Sequence, residues 1–111
     1  MARSFRVFHP NQAPGAQAKN FNINGFGISN GHAVLATAAI FPGGPGSFGP
    51  DLDLRLQVHG PIVWVSNIVP HGGPNEATGI EYVVHVDNTS TPVNVAVTLT
   101  VFDRCEGFGV V

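Results

Sequence analysis

Val93-Asn94-Val95-Ala96-Val97-Thr98-Leu99-Thr100-Val101-Phe102 alternates side-chain character from end to end. Val93, Val95, Val97, Leu99 and Val101 fall on one side of an extended chain, and Asn94, Ala96, Thr98, Thr100 and Phe102 on the other. A strand has a side-chain period of two, so this stretch reads as a strand with one face in the core. Its β-branched residues suit a pleated, half-buried surface.

The same period recurs upstream. Ile80, Tyr82, Val84 and Val86 alternate with Glu81, Val83, His85 and Asp87. The stretch Asp87-Asn88-Thr89-Ser90-Thr91-Pro92 is dense in turn formers, so these last two strands are expected to pair as a hairpin. Leu52, Leu54, Leu56 and Val58 alternate with Asp51, Asp53, Arg55, Gln57 and His59, which predicts a half-buried strand. Residues 61–69 are apolar on both faces. Ile62, Trp64 and Ile68 share one face, and Val63, Val65 and Val69 the other. Such a strand is expected to be covered on both sides, by its own domain or by another subunit. Phe21 and Ile23 point inward past Asn20, Asn22 and Asn24, and Phe5 and Val7 alternate with Ser4, Arg6 and Phe8. Residues 32–41 are alanine-rich enough for a helix. Ser29-Asn30-Gly31 before them and Phe41-Pro42-Gly43-Gly44 after them favour a strand.

The expectation is seven strands, near 3–9, 18–26, 32–41, 51–59, 61–69, 79–88 and 93–103, with Gly/Pro-rich loops at 10–17, 42–50 and 70–78. That count and spacing indicate an all-β single domain over residues 1–111. The expected architecture is a seven-stranded antiparallel β-sandwich, Ig-like or jelly-roll-like, with a β-barrel as the alternative.

Composition narrows the function. The chain has 111 residues, 43% hydrophobic, and a single cysteine, Cys105, so no internal disulfide can form. Charged residues make up only 11%, against about 25% in an average globular domain. With five Lys and Arg in all and a net charge of −2, phosphate-driven nucleic-acid binding is not expected. No apolar run reaches the ~20 residues that span a membrane as a helix. Residues 1–12 carry Arg3, Arg6 and His9 without a continuous apolar stretch, so no signal peptide is read there. The expected location is cytoplasmic, or outside by a non-classical route.

The catalytic signatures are weak. His9, His32, His59, His71 and His85 include no pair at the i, i+2 or i, i+4 spacing that would place two ligands on one strand or helix face. A metal site would need separate strands, with His59, His85 and Asp87 as the candidate set. The commoner role of such histidines is a solvated surface. Ser47, Ser66 and Ser90 lie in no nucleophile elbow. Cys105 follows Arg104, but reactivity needs a specific electropositive setting, so a spectator thiol is the simpler reading. Asp51 and Asp53 share a strand face with Arg55, as a solvated charge ladder does. Gly25-Phe26-Gly27 opens no helix in a βαβ unit, so the dinucleotide fingerprint is rejected.

A small monomer normally carries about 25–35% charged surface. This chain lacks it and has surplus apolar strand. The leading expectation is therefore a non-enzymatic, self-assembling structural or interaction module that forms a homo-oligomer without a cofactor. Ile62, Trp64, Ile68 and Phe108 are its interface candidates. Trp64 also sits in the most apolar strand, where a core position is expected. The alternative is a lectin-like module for a neutral glycan, using Phe48, His71 and Asn75 in loops 42–50 and 70–78. The second alternative is a metal-dependent enzyme at the His/carboxylate set.

Overall fold

In the computed structural model, residues 2–42 and 54–111 are described. They form six strands and no helix: β1 (Arg3–Gln12), β2 (Gly15–Asn22), β3 (His32–Ile40), β4 (Val63–Gly73), β5 (Glu76–Val86) and β6 (Val93–Arg104). All pairings are antiparallel, in two three-stranded sheets of order β1-β6-β3 and β2-β5-β4. No strand is shared between the sheets among the described residues, so the barrel alternative is not realised there.

β5 and β6 are the two central strands, one in each sheet. Their inward rows, Ile80, Tyr82, Val84 and Val86 on one and Val95, Val97, Leu99 and Val101 on the other, are buried in a single core. Burial of each such side chain contributes roughly 1.5–3 kcal/mol. The expected hairpin between these strands therefore does not form. Two strands side by side in one sheet turn their apolar rows the same way, and a second sheet must cover them. Placed at the centres of opposite sheets, the rows cover each other.

Phe5 and Val7 of β1, Phe21 of β2, Val34, Ala36 and Ala38 of β3, and Val63, Val65 and Ile68 of β4 complete the core from the edges. The chain crosses between sheets at Ala13-Pro14, at 23–31, at 41–62 and at 87–92. The 23–31 crossover closes one end of the core with buried Ile23 and Ile28. Its Ser29-Asn30-Gly31 turn is not a hairpin, because β2 and β3 belong to different sheets. The Ser29 carbonyl accepts the His32 amide (3.2 Å) and launches β3.

Among the described residues there are six strands where seven were expected. Residues 51–53 of the predicted 51–59 strand lie outside the described residues. From Leu54 to His59 there is only an isolated bridge, Gln57 to Ile40. Leu54 and Leu56 are half-buried, whereas Val58 is 91% exposed, so the leucine row turns away from the core before its end.

Two expected loops are largely strand. β1 runs on to Gln12 through Pro10, and β4 runs through Pro70 to Gly73. Both prolines lie on edge strands, where the missing N–H costs no ladder bond on the outer side. β4 and β5 form the hairpin, joined by Pro74-Asn75. The compact turn leaves no open loop at 70–78.

Candidate functional site

A bulge on β4 decides which apolar side chains reach solvent. The β4–β5 register shifts between Ser66 and Val69, and Asn67 takes a left-handed conformation (φ 52°). Asparagine tolerates that region better than most residues. The extra residue flips the alternation. Ile68 therefore packs on the core, and Val69 turns outward. Ile68, expected on the Trp64 face, is not an exposed interface residue, because the bulge moved it.

Trp64 is not a core residue. It is 46% exposed, on the outer face of the β2-β5-β4 sheet. Its ring lies parallel to that of His85, with centroids 4.8 Å apart and 1° between planes. Ser66 Oγ is 2.6 Å from His85 Nε2 and anchors the ring. Across the sheet, Ala16, His85 and Trp64 are in register, as are Ala18, Val83 and Ser66, and Asn20, Glu81 and Val69. This face thus carries small, aliphatic and aromatic side chains together with the polar Asn20 and His85 and one carboxylate, Glu81. Val69 is 48% exposed, and Ile62, just before β4, is 67% exposed.

The other sheet presents a different outer face. Ser4 bonds Thr100 (3.0 Å), and Arg6 Nε donates to Thr98 Oγ1 (2.9 Å). Its polar groups are satisfied in a ladder.

Ser66 with His85 supplies a hydroxyl and a base, a pair missed in the sequence because they are 19 residues apart. Acyl transfer also needs a group that orients the base and donors for the oxyanion. No carboxylate contacts His85 among the described residues. The pair stands on the sheet face, and its evident effect is to hold His85 against Trp64.

His59 is exposed in the 54–60 segment, and Asp87 is exposed with its Oδ1 accepting the Asn88 amide (2.8 Å). The structure does not gather His59, His85 and Asp87 into a set. No group of three His, Cys, Asp or Glu that could hold a metal occurs among the described residues. His71 is buried in β4. Its Nδ1 donates to the Ala77 carbonyl (2.6 Å), and its Nε2 lies 2.9 Å from Asn20 Oδ1. It is therefore a strand residue tying the hairpin to β2, whereas Asn75 is exposed at the hairpin turn. Phe48 lies outside the described residues. Phe108 is 81% exposed, and Cys105 is exposed.

One titratable pair lies between the sheets. His9 Nε2 is 2.8 Å from Tyr82 Oη. Burial, reinforced by the nearby Lys19 charge, lowers the His9 pKa from 6.5 to about 4. Burial pushes the Tyr82 hydroxyl up to about 12. His9 is thus neutral at pH 7 and shares a hydrogen bond with the tyrosine hydroxyl. Between pH 6.5 and about 4 the unfolded chain binds the extra proton, so stability is full above that window and falls through it on acidification. Discounted for the ring's partial exposure, the loss is on the order of 1–2 kcal/mol. Urea unfolding at pH 7.5, 5 and 4 reads it, and His9→Gln is expected to flatten the dependence.

No protein-family model, curated protein or solved structure matches this chain. The site is therefore read from its own chemistry. No helix among the described residues is long and apolar enough to cross a membrane.

Proposed function

We propose that this protein is a small β-sandwich that assembles with copies of itself as a non-enzymatic structural or interaction module. The interface is the outer face of the β2-β5-β4 sheet. The observation that carries this reading is the exposure of Trp64 and Val69 on a face whose other positions are mostly small or apolar. Exposed apolar patches mark interaction surfaces. The low charge content supports the same reading, since burial between copies reduces the surface that must stay soluble. Ala16 and Ala18 allow close approach. The other sheet's outer face also exposes Leu35 and Phe102, but the Ser4–Thr100 and Arg6–Thr98 hydrogen bonds run across it and make it the more polar of the two.

Native mass spectrometry and sedimentation of the purified chain test it. The expected result is a defined oligomer. Trp64→Lys combined with Val69→Lys should return it to the 11.6 kDa monomer, while Leu35→Lys on the other sheet's outer face leaves it intact. A wild-type chain monomeric at about 100 μM, where a 1 μM interface would be essentially full, removes the reading.

The carbohydrate-binding alternative finds its support on this same face rather than in the loops. Trp64 offers a ring, and Asn20, Asn67 and Glu81 line a groove beside Val69. Binding of a neutral glycan to the monomer, lost in Trp64→Lys, would favour it over assembly.

A further inference from the structure

A second concave surface lies at one end of the molecule, away from the β2-β5-β4 outer face. It is a cleft of about 190 Å³. Phe5, Phe26, Ile28 and Val101 form its apolar lining, and Arg3 and His32 stand at its polar side. Phe5 and Phe26 meet edge to face, with centroids 5.0 Å apart. The volume is close to that of a cavity of about 150 Å³ that holds one benzene ring. It therefore suits a phenyl-sized or branched aliphatic body with a few polar atoms.

The charge pattern selects the polar end of the ligand. The backbone amide of Ser29 donates to His32 Nδ1 (3.0 Å). An acceptor Nδ1 in a neutral imidazole places the proton on Nε2, so the other side of the ring is a donor. Ser29 Oγ, which also lies 3.1 Å from His32 Nδ1, accepts from Arg104 and helps fix the ring. The Arg3 guanidinium is held over the Phe26 ring, 5.1 Å from its centroid. No carboxylate of the described residues lies within ion-pair distance of it. Asp103 stands on the same rim and makes a polar interaction of its own. The cleft thus offers a guanidinium with no carboxylate in ion-pair contact and an imidazole N–H beside aromatic rings, with one carboxylate, Asp103, on its rim.

We propose that this cleft binds a small organic acid with an aromatic or branched apolar body, its carboxylate taken by Arg3 and His32 Nε2–H. A guanidinium and a carboxylate make charge-assisted, bidentate hydrogen bonds, and the ring packs against Phe5 and Phe26. The site is independent of the assembly face and of the proposed function.

The test is a titration of the isotope-labelled full chain, followed by amide NMR. The probes are phenylacetate, benzylamine as its cationic counterpart, and 2-phenylethanol as the neutral one. The expected result is saturable shifts at Arg3, Phe26, Ile28 and His32 with phenylacetate, with a Kd of about 1 mM. Benzylamine should bind at least about tenfold more weakly. Arg3→Gln, at an exposed position, should weaken phenylacetate by about tenfold or more and leave 2-phenylethanol unchanged, while Arg3→Lys keeps part of the preference. Phenylacetate without saturable shifts at about ten times that concentration would overturn the proposal. So would equal binding of benzylamine, shifts mapping elsewhere, or an Arg3→Gln chain of wild-type affinity and native amide spectrum.

Discussion

Gly72→Ala is expected to cost about 3 kcal/mol or more and to deplete the folded state sharply. Gly72 is buried near the end of β4, where the 23–31 crossover passes over the sheet. A Cβ built there lands on the Ile28 carbonyl oxygen, well inside contact distance, and meets Thr78 Oγ1 at 3.1 Å. The obstacle is backbone, so no rotamer relieves it. Either the crossover lifts, exposing Ile28 and its share of the core, or the β4–β5 hairpin shifts register. Gly73→Ala is the matched control, because nothing lies within 4 Å of its added Cβ. Thermal unfolding of the two variants checks the argument. At roughly 4 °C per kcal/mol for a domain of this size, Gly72→Ala should lower Tm by more than about 10 °C and Gly73→Ala by only a few. Equal melting temperatures would show that the crossover does not rest on β4 in this way.

Leu99→Ala should remove a further large fraction of stability, about 2–5 kcal/mol of a total that is about 5–15 for a domain. Leu99 is fully buried on central strand β6, in register with Phe5 on one side and Ala36 on the other. Ala36 has no side-chain length to fill the space. Phe5 is tied to Phe21 and Phe26 by ring contacts and cannot move in without breaking them. The cavity therefore persists, and its cost adds to the lost transfer energy. Leu35→Ala, one position from Ala36 but exposed on the outer face of the same sheet, is the control and should stay within about 0.5 kcal/mol. Urea unfolding of both variants, with m unchanged, distinguishes a cavity from a disrupted native state.

The strands legible in the sequence were those whose alternation is complete. β5 and β6 lie where their period places them, and every inward residue of those rows is buried except Val93, which is partly buried. The Asn20, Asn22 and Asn24 row is exposed beside Phe21 and Ile23, as its parity requires. The misreadings have local causes. Pro10 and Pro70 signalled loops because proline breaks a central strand, and a sequence does not state which strands are edges. Gly72-Gly73-Pro74-Asn75 looked like the middle of a loop, although its last two residues are the whole connection. On β4, a single left-handed residue at Asn67 exchanged the faces of Ile68 and Val69.

The candidate site was less legible than the fold. Trp64 lies within a strand apolar on both sides, so composition pointed to the core. Its exposure follows from β4 being an edge strand with a core on one face only. His85 and Ser66 meet because β4 and β5 pair in one particular register, and the Arg3–Phe26–His32 cleft joins three chain segments.

The sequence by itself determined that the chain is all-β, that β5 and β6 present the apolar rows, and that the surface is poor in charge. Those properties follow from side-chain period and composition, which are local and additive along the chain. Only the tertiary structure decided that the two best strands face each other across the core, which strands are edges, and which apolar residues remain in water. Each of these depends on pairing between distant segments, and a one-residue bulge in that pairing reverses which side chain is buried.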